Sequence, residues 1–202
     1  MRKFIYLFIS IFIFASCNND SMMTEEEKKL INSGNKNTPM RVLTIDNEAD
    51  ALFLRTPSID VEAENIKADK DLQLFIQRLK TTMAAEEGVG IAAPQVGIGR
   101  NIFLFCRTEE PDMPVQVAIN PVIVSTPDSV ICFEGDGCLS IPDVSDNSFR
   151  SPWVMVAYYD ENGIKKEEML SGYSRRTGFT GVVFQHEYDH LQGVLFIDKL
   201  CE

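Results

Sequence analysis

The only two histidines in the 202-residue chain stand four residues apart, in the run His186-Glu187-Tyr188-Asp189-His190. On a helix, four steps of about 100° bring the second imidazole within about 40° of the first and one turn along, so both can reach one metal ion. Glu187, between them, is then placed to take a proton from water activated by that metal. Val182, Val183, Phe184 and Leu191 make the same segment otherwise apolar, which a pair of surface histidines would not require. A catalytic metal site typically has three protein ligands and one open position. Twelve residues follow His190, and among them only Asp198, Cys201 and Glu202 could ligate, so the third ligand is sought upstream. Cys138 is the best candidate, because Asp136-Gly137-Cys138-Leu139-Ser140 reads as a glycine-flanked turn after a strand, which presents a thiolate at a fixed angle.

A second segment, Gly88-Val89-Gly90-Ile91-Ala92-Ala93-Pro94-Gln95, is rich in small residues. It follows a helical pattern, not a strand, and has no lysine at the position a phosphate-binding loop needs. Its small residues instead allow close approach of a peptide ligand, with Gln95 as an amide donor for a developing oxyanion.

These residues need a frame. Leu72, Ile76, Leu79 and Met83 form an amphipathic stripe over residues 69–87, with Gly88 where a C-terminal cap belongs. Short β-rich runs follow at 102–106, 115–119, 122–125, 130–133 and 154–159, and Asp-Glu-Asn-Gly at 160–163 marks a hairpin turn into a strand near 164–169. The histidine helix is expected from about Thr177 to just before Gly193, and 194–197 reads as a final strand. Two helices separated by antiparallel strands predict an α+β domain, its strands packed around the central histidine helix.

Together the three segments closely resemble the peptide deformylase family, whose pattern of GxGxAAxQ, EGCLS and HExDH reads here as GVGIAAPQ, DGCLS and HEYDH, in the same order. The resemblance extends to Leu54-Arg55, to Ile119-Asn120-Pro121 and to the stretch from His190 to Asp198, so it covers nearly the whole domain. It implies that Cys138, His186 and His190 hold one divalent metal, with Fe(II) the commonest occupant in the family and Zn(II) or Ni(II) compatible with the same ligands. It implies hydrolysis of N-formylmethionyl peptides, with Glu187 as proton shuttle and with Gln95 and the backbone N–H of Leu139 stabilising the oxyanion. Gly90 and Ile91 are expected to pair with substrate backbone, and Val89, Phe179, Val182 and Val183 to line the methionine pocket. Asp136 stands where the family has Glu, and is expected to brace the cysteine segment through Arg150; the longer Glu134, two residues earlier, competes for that role.

Composition bounds the alternatives. Nineteen Lys and Arg against 30 Asp and Glu give a net charge of −11, which argues against nucleic acid as a partner. Arg2 and Lys3 precede an apolar run over 4–15 that is too short to cross a bilayer, the pattern of a secretory signal, and Phe-Ala-Ser-Cys resembles the site at which bacterial lipoproteins are cleaved and lipidated. The expectation is a lipid anchor at Cys17, a flexible polar tether to residue 39 and a catalytic domain over 40–202, monomeric and held at the cell envelope. Cys106 and Cys132 are read as small buried hydrophobes in strands, although export permits one disulfide. A zinc endopeptidase and a peptide- or metal-binding lipoprotein are the competing functions, and binding alone would need neither Glu187 nor Gln95.

Overall fold

The computed structural model describes residues 23–201. The basic and apolar leader and Cys17, the residue expected to carry a lipid, lie outside the described residues.

Among the described residues, four helices, α1 (Glu25–Ile31), α2 (Glu48–Leu54), α3 (Lys70–Ala85) and α4 (Thr180–Leu191), combine with seven strands. These are β1 (Gly90–Ala92), β2 (Ile102–Cys106), β3 (Val115–Ser125), β4 (Ile131–Cys138), β5 (Ile141–Arg150), β6 (Trp153–Tyr159) and β7 (Lys165–Ser171). An antiparallel five-stranded sheet runs β1-β2-β3-β6-β7, and β4 and β5 form a separate hairpin. The α+β expectation therefore holds.

β2 explains how the layers stack. All five of its residues are buried, and successive side chains alternate between two cores. Ile102, Leu104 and Cys106 join Leu72, Phe75, Ile76 and Leu79 of α3. Phe103 and Phe105 join Val183, Phe184 and Leu191 of α4. A strand buried on both faces reads as a continuous apolar run, and IFLFC does so. The histidine helix thus lies in a groove whose floor is fixed by edge-on contacts of Phe184 with Phe103 and Phe105, at 4.8 and 5.3 Å between ring centroids.

Both long helices end in the same hydrogen-bonded motif, with different residues at the left-handed position. After α4, Gly193 adopts φ 70°, while Val194 N–H bonds to Asp189 and Gly193 N–H to His190. After α3 that position is Glu87, at φ 53°, and Gly88 is the residue beyond it, donating to Met83 at 3.0 Å. The expected glycine cap of α3 is therefore displaced by one residue.

Three further expectations differ from the structure. The segment read as a tether is folded from Met23 onward: Thr24 and Glu27 form a reciprocal N-terminal cap on α1, and Met23 and Ile31 are buried in the α3 core. Arg78 of α3 fastens the chain that follows, donating to the carbonyls of Leu30, Ile31, Thr38 and Pro39. The final strand expected at 194–197 is instead a loop leading into a 3₁₀ turn at Phe196–Lys199, because the Asp198 carboxylate accepts from Leu195 N–H at 2.9 Å and closes the turn locally. Cys132 is not a buried hydrophobe; it is exposed and forms a disulfide with Cys201, while Cys106 is buried and free.

Candidate metal centre

Helix α4 is set against the sheet at a glycine. A Cβ on Gly181 would lie 2.8 Å from the Leu170 carbonyl oxygen of β7, so only glycine lets the helix enter at this depth. One turn on, Gln185 clamps Ser151 in both directions, accepting from its N–H at 2.8 Å and donating to its carbonyl at 2.9 Å. His186 and His190 then face the β4–β5 hairpin, where Cys138 ends β4. One candidate ligand atom from each of the three residues lies within 4.8 Å of the other two, and Cys138 Sγ is 3.2 Å from His190 Nε2.

The surroundings prepare these groups for a cation. His186 Nδ1 donates to Asp136 Oδ1 at 2.9 Å, which fixes the ring and leaves Nε2 for a metal. Asp136 Oδ2 accepts from Arg150 at 2.7 Å and from Ser148 at 2.6 Å, and Arg150 also reaches Asp189 at 2.6 Å. Burial would raise the Asp136 carboxyl, but the bonds to His186 and the charge of Arg150 outweigh it and hold the acid well below the usual carboxylate range. Burial opposes charge on His186 as well, but its hydrogen bonds to Asp136 and Cys138 outweigh this and raise it well above the ordinary histidine value, so a metal taken up at Nε2 would displace a proton there. Burial, then the charges of His186 and Arg150, drive His190 well below that value, toward the neutral form that ligates metals.

Glu187 is buried, its Oε2 has no hydrogen-bond partner, and burial pushes its carboxyl up to about 7. A buried carboxyl oxygen without a partner is costly unless something else is meant to meet it. Together with a thiol and two imidazoles in one cluster, it fits a bound metal and its reactants. Soft sulfur with two nitrogens is the donor set expected of a tetrahedral transition-metal site with one position left open.

Gln95 is held in a fixed pose facing this cluster. Its Oε1 accepts from Ala92 N–H at 2.8 Å, and its Nε2 lies 3.3 Å from Ser140 Oγ and 3.5 Å from Cys138 Sγ. A cleft of about 560 Å³ opens over the centre, lined by Val89, Gly90, Gln95, Leu139, Phe179, Val182, Val183, His186 and Glu187. The expected substrate contacts other than Ile91 therefore share one cavity with Cys138 and His186. The Ile91 side chain is buried in the α3 core, but the expectation concerns its backbone, which lies on β1, the edge strand of the five-stranded sheet.

Several lining residues were not anticipated from the sequence. Phe133 stacks at 5.5 Å on Phe179, and the Arg175 guanidinium lies over both rings at 5.7 and 5.1 Å while donating to the Gly135 carbonyl. Nothing in the local sequence marks Arg175, since its place depends on β4. Glu134, the competitor for Arg150, is exposed, whereas Asp136 reaches the guanidinium directly.

Comparison with known proteins agrees with this geometry. The pattern of the polypeptide deformylase family matches residues 39–202. A peptide deformylase of Prochlorococcus marinus (strain NATL1A) is 36% identical over 168 residues, covering 83% of this chain and 76% of that protein. One from Thermotoga petrophila is 42% identical over 135 residues, covering 66% and 75% respectively. Among solved structures, the Synechococcus elongatus peptide deformylase in complex with actinonin superposes with a TM-score of 0.68 at 33% identity, over 81% of this chain and 80% of that one. The Acinetobacter baumannii enzyme with Met-Ala-Ser bound gives 0.69 at 28% identity, over 81% and 99%. With its Cys138, His186 and His190 cluster matching the metal ligands of those enzymes, the chain belongs to the polypeptide deformylase family.

Proposed function

We propose that this chain hydrolyses the formamide bond of N-formylmethionyl peptides, with water consumed and formate and a free N-terminal amine released. The observation that carries this reading is the convergence, beside a cleft with an apolar wall, of the Cys138-His186-His190 cluster, the unpartnered Glu187 carboxyl and the Gln95 amide. Phe179, Val182 and Val183 give the cleft an apolar wall suited to a methionine side chain. Gly90 and Ile91, on the edge strand β1, are assigned to the substrate backbone, and Val89 joins the pocket wall.

A metal bound by Cys138, His186 and His190 would supply Lewis-acid activation of water and polarisation of the formyl oxygen. Fe(II) is the occupant proposed, with Zn(II) and Ni(II) able to use the same donors. Glu187 takes a proton from the attacking water as the oxygen adds to the formyl carbon. Gln95 Nε2 and the Leu139 N–H donate to the oxyanion that forms and stabilise it. Glu187 then returns the proton to the amine nitrogen, the C–N bond breaks and formate leaves. Asp136, held by Arg150, keeps the His186 ring in place throughout.

The reading is tested by incubating purified, metal-loaded protein with formyl-Met-Ala-Ser and measuring formate and free amine. Equimolar release of both is expected, with no cleavage inside the unformylated peptide. Internal peptide cleavage without formate would replace it with an endopeptidase.

We further propose that the chain is exported and lipid-anchored at Cys17, and acts as a monomer. The basic and apolar leader supports export, and the Cys132–Cys201 disulfide is of a kind that persists in oxidising compartments. Fractionation of the native host tests this, and an unmodified chain in the cytosol would overturn it.

A further inference from the structure

The segment after α4 touches both arms of the metal centre. On one arm, the Phe196 ring stacks on the His186 imidazole, with centroids 6.2 Å apart and planes 22° from parallel. On the other, Leu200 pairs antiparallel with Ser148 of β5, and Cys201 N–H donates to the Asn147 carbonyl at 3.0 Å. The hairpin is thereby extended by a third strand-like run, beside the Ser148 and Arg150 that hold Asp136. Between these contacts, Lys199 reaches Asp189, which holds the far side of Arg150.

At its start this segment is packed, with Leu195 and Phe196 buried against Ile141 and with Ile45, Ile197 and Cys138 beside them, and beyond Ile197 it comes to the surface at Leu200, 41% exposed. Its ion pairs, Arg55 with Asp198 and Lys199 with Asp189, have one or both partners at least one-third exposed and contribute weakly. Ion pairs of this strength leave residues 198–201 in need of a further tie to stay on β5. The tie is covalent: Cys201 is bonded to Cys132 on β4, six residues before the ligand Cys138 and four before Asp136. Cys132 is exposed, so a reductant can reach the bond.

We propose that Cys132 and Cys201 are positioning residues for the metal, their disulfide clamping residues 194–201 across the cysteine hairpin and the histidine helix. Reduction by a dithiol would add two electrons and two protons to the bond, give two thiols and oxidise the dithiol to its cyclic disulfide. With the clamp open, Phe196 and the β5 edge loosen together, and the centre releases metal faster. Full metal retention then belongs to an oxidising environment. The inference rests on the metal centre assigned above, but not on its substrate.

The test uses the full chain loaded with Zn(II), with release to a colorimetric chelator followed for the parent, Cys201→Ser and the Cys132→Ser/Cys201→Ser double variant, which leaves no new thiol to capture metal. Both variants are expected to release Zn(II) about ten-fold faster or more, within the range seen when ligand supports are lost. A phosphine reductant should bring the parent to the same rate, leave the double variant unchanged and be reversed by re-oxidation. Ile66→Val, a core change remote from the centre, serves as a control for global stability. Equal release by oxidised and reduced parent would overturn the proposal, as would a rise in Ile66→Val matching that of the disulfide variants at the same loss of thermal stability. Because no substrate enters this measurement, a protein that fails to deformylate but shows the redox-dependent release would refute the assigned reaction and leave the clamp standing.

Discussion

Gly90 is where the smallest perturbation meets the proposed proton shuttle most directly. A Cβ placed there would lie 2.4 Å from Glu187 Oε1, 2.9 Å from Glu187 Cδ and 2.8 Å from Val183 Cγ1. Ordinary contacts begin near 3.4 Å, so Gly90→Ala must displace the carboxyl by about 1 Å, the difference of the two distances. Helix α4 cannot retreat to absorb this, because Phe184 is packed edge-on against Phe103 and Phe105 beneath it. The Glu187 side chain must rotate instead. A displacement of about 1 Å at a reacting group costs on the order of 100-fold in rate, or about 2.7 kcal/mol of barrier. None of the three atoms nearest that Cβ belongs to a metal ligand, so metal content should stay at the parent level, while overpacking should cost roughly 1–3 kcal/mol of stability. The assay is kcat/KM for formyl-Met-Ala-Ser alongside metal analysis and thermal unfolding. Adding Val183→Ala relieves one of the two clashes and should recover stability without recovering rate. A Gly90→Ala protein with full metal and kcat/KM within about three-fold of the parent would refute the placement of Glu187 beside β1 as the catalytic arrangement.

Asp136→Ala should lower metal affinity about 10- to 100-fold, because it frees the His186 ring, while Glu134→Ala should leave metal titrations unchanged. The reverse ranking would mean that the longer acid reaches back to Arg150. Cys138→Ser should empty the site, since a neutral hydroxyl replaces a thiolate, and full metal occupancy in that variant would move the third ligand elsewhere. Acid should undock α1: burial raises the Glu27 carboxyl, but Arg100 and the Thr24 cap together lower it below its ordinary value. A depressed carboxyl contributes stability that is complete above the unfolded value of about 4.3 and is lost as pH falls through the folded one. Amide protection over Glu25–Ile31 should therefore drop below about pH 4, and Glu27→Gln should remove that step.

The site was more legible in the sequence than the elements around it, and the reason is locality. His186, Glu187 and His190 are placed by one helix turn, and Cys138 by a short glycine-flanked run, so their roles needed no long-range information. β2 announced itself as a continuous apolar run. By contrast β5 is mostly exposed and polar, with no alternation to mark it, although it carries Arg150 and Ser148. α1 is only seven residues long and strongly charged, and Ile31 is its only buried residue, too little for a periodic signal. The 194–197 run is apolar enough to read as a strand, but the Asp198 bond to Leu195 N–H decides for a turn. The pairing of Cys132 with Cys201 across 69 residues depends on where the chain after α4 comes to rest, which no local pattern encodes.

The central claim is that a metal held by Cys138, His186 and His190 and a proton shuttle at Glu187 together remove formyl groups. Formate release from formyl-Met-Ala-Ser, measured side by side for the metal-loaded parent and metal-loaded Glu187→Gln at equal, verified metal content, tests it most directly. The account predicts steady release by the parent and at least about a 100-fold loss in the variant, the usual scale of general acid-base catalysis. Release by Glu187→Gln at more than about a tenth of the parent rate, with metal content matched, would contradict it.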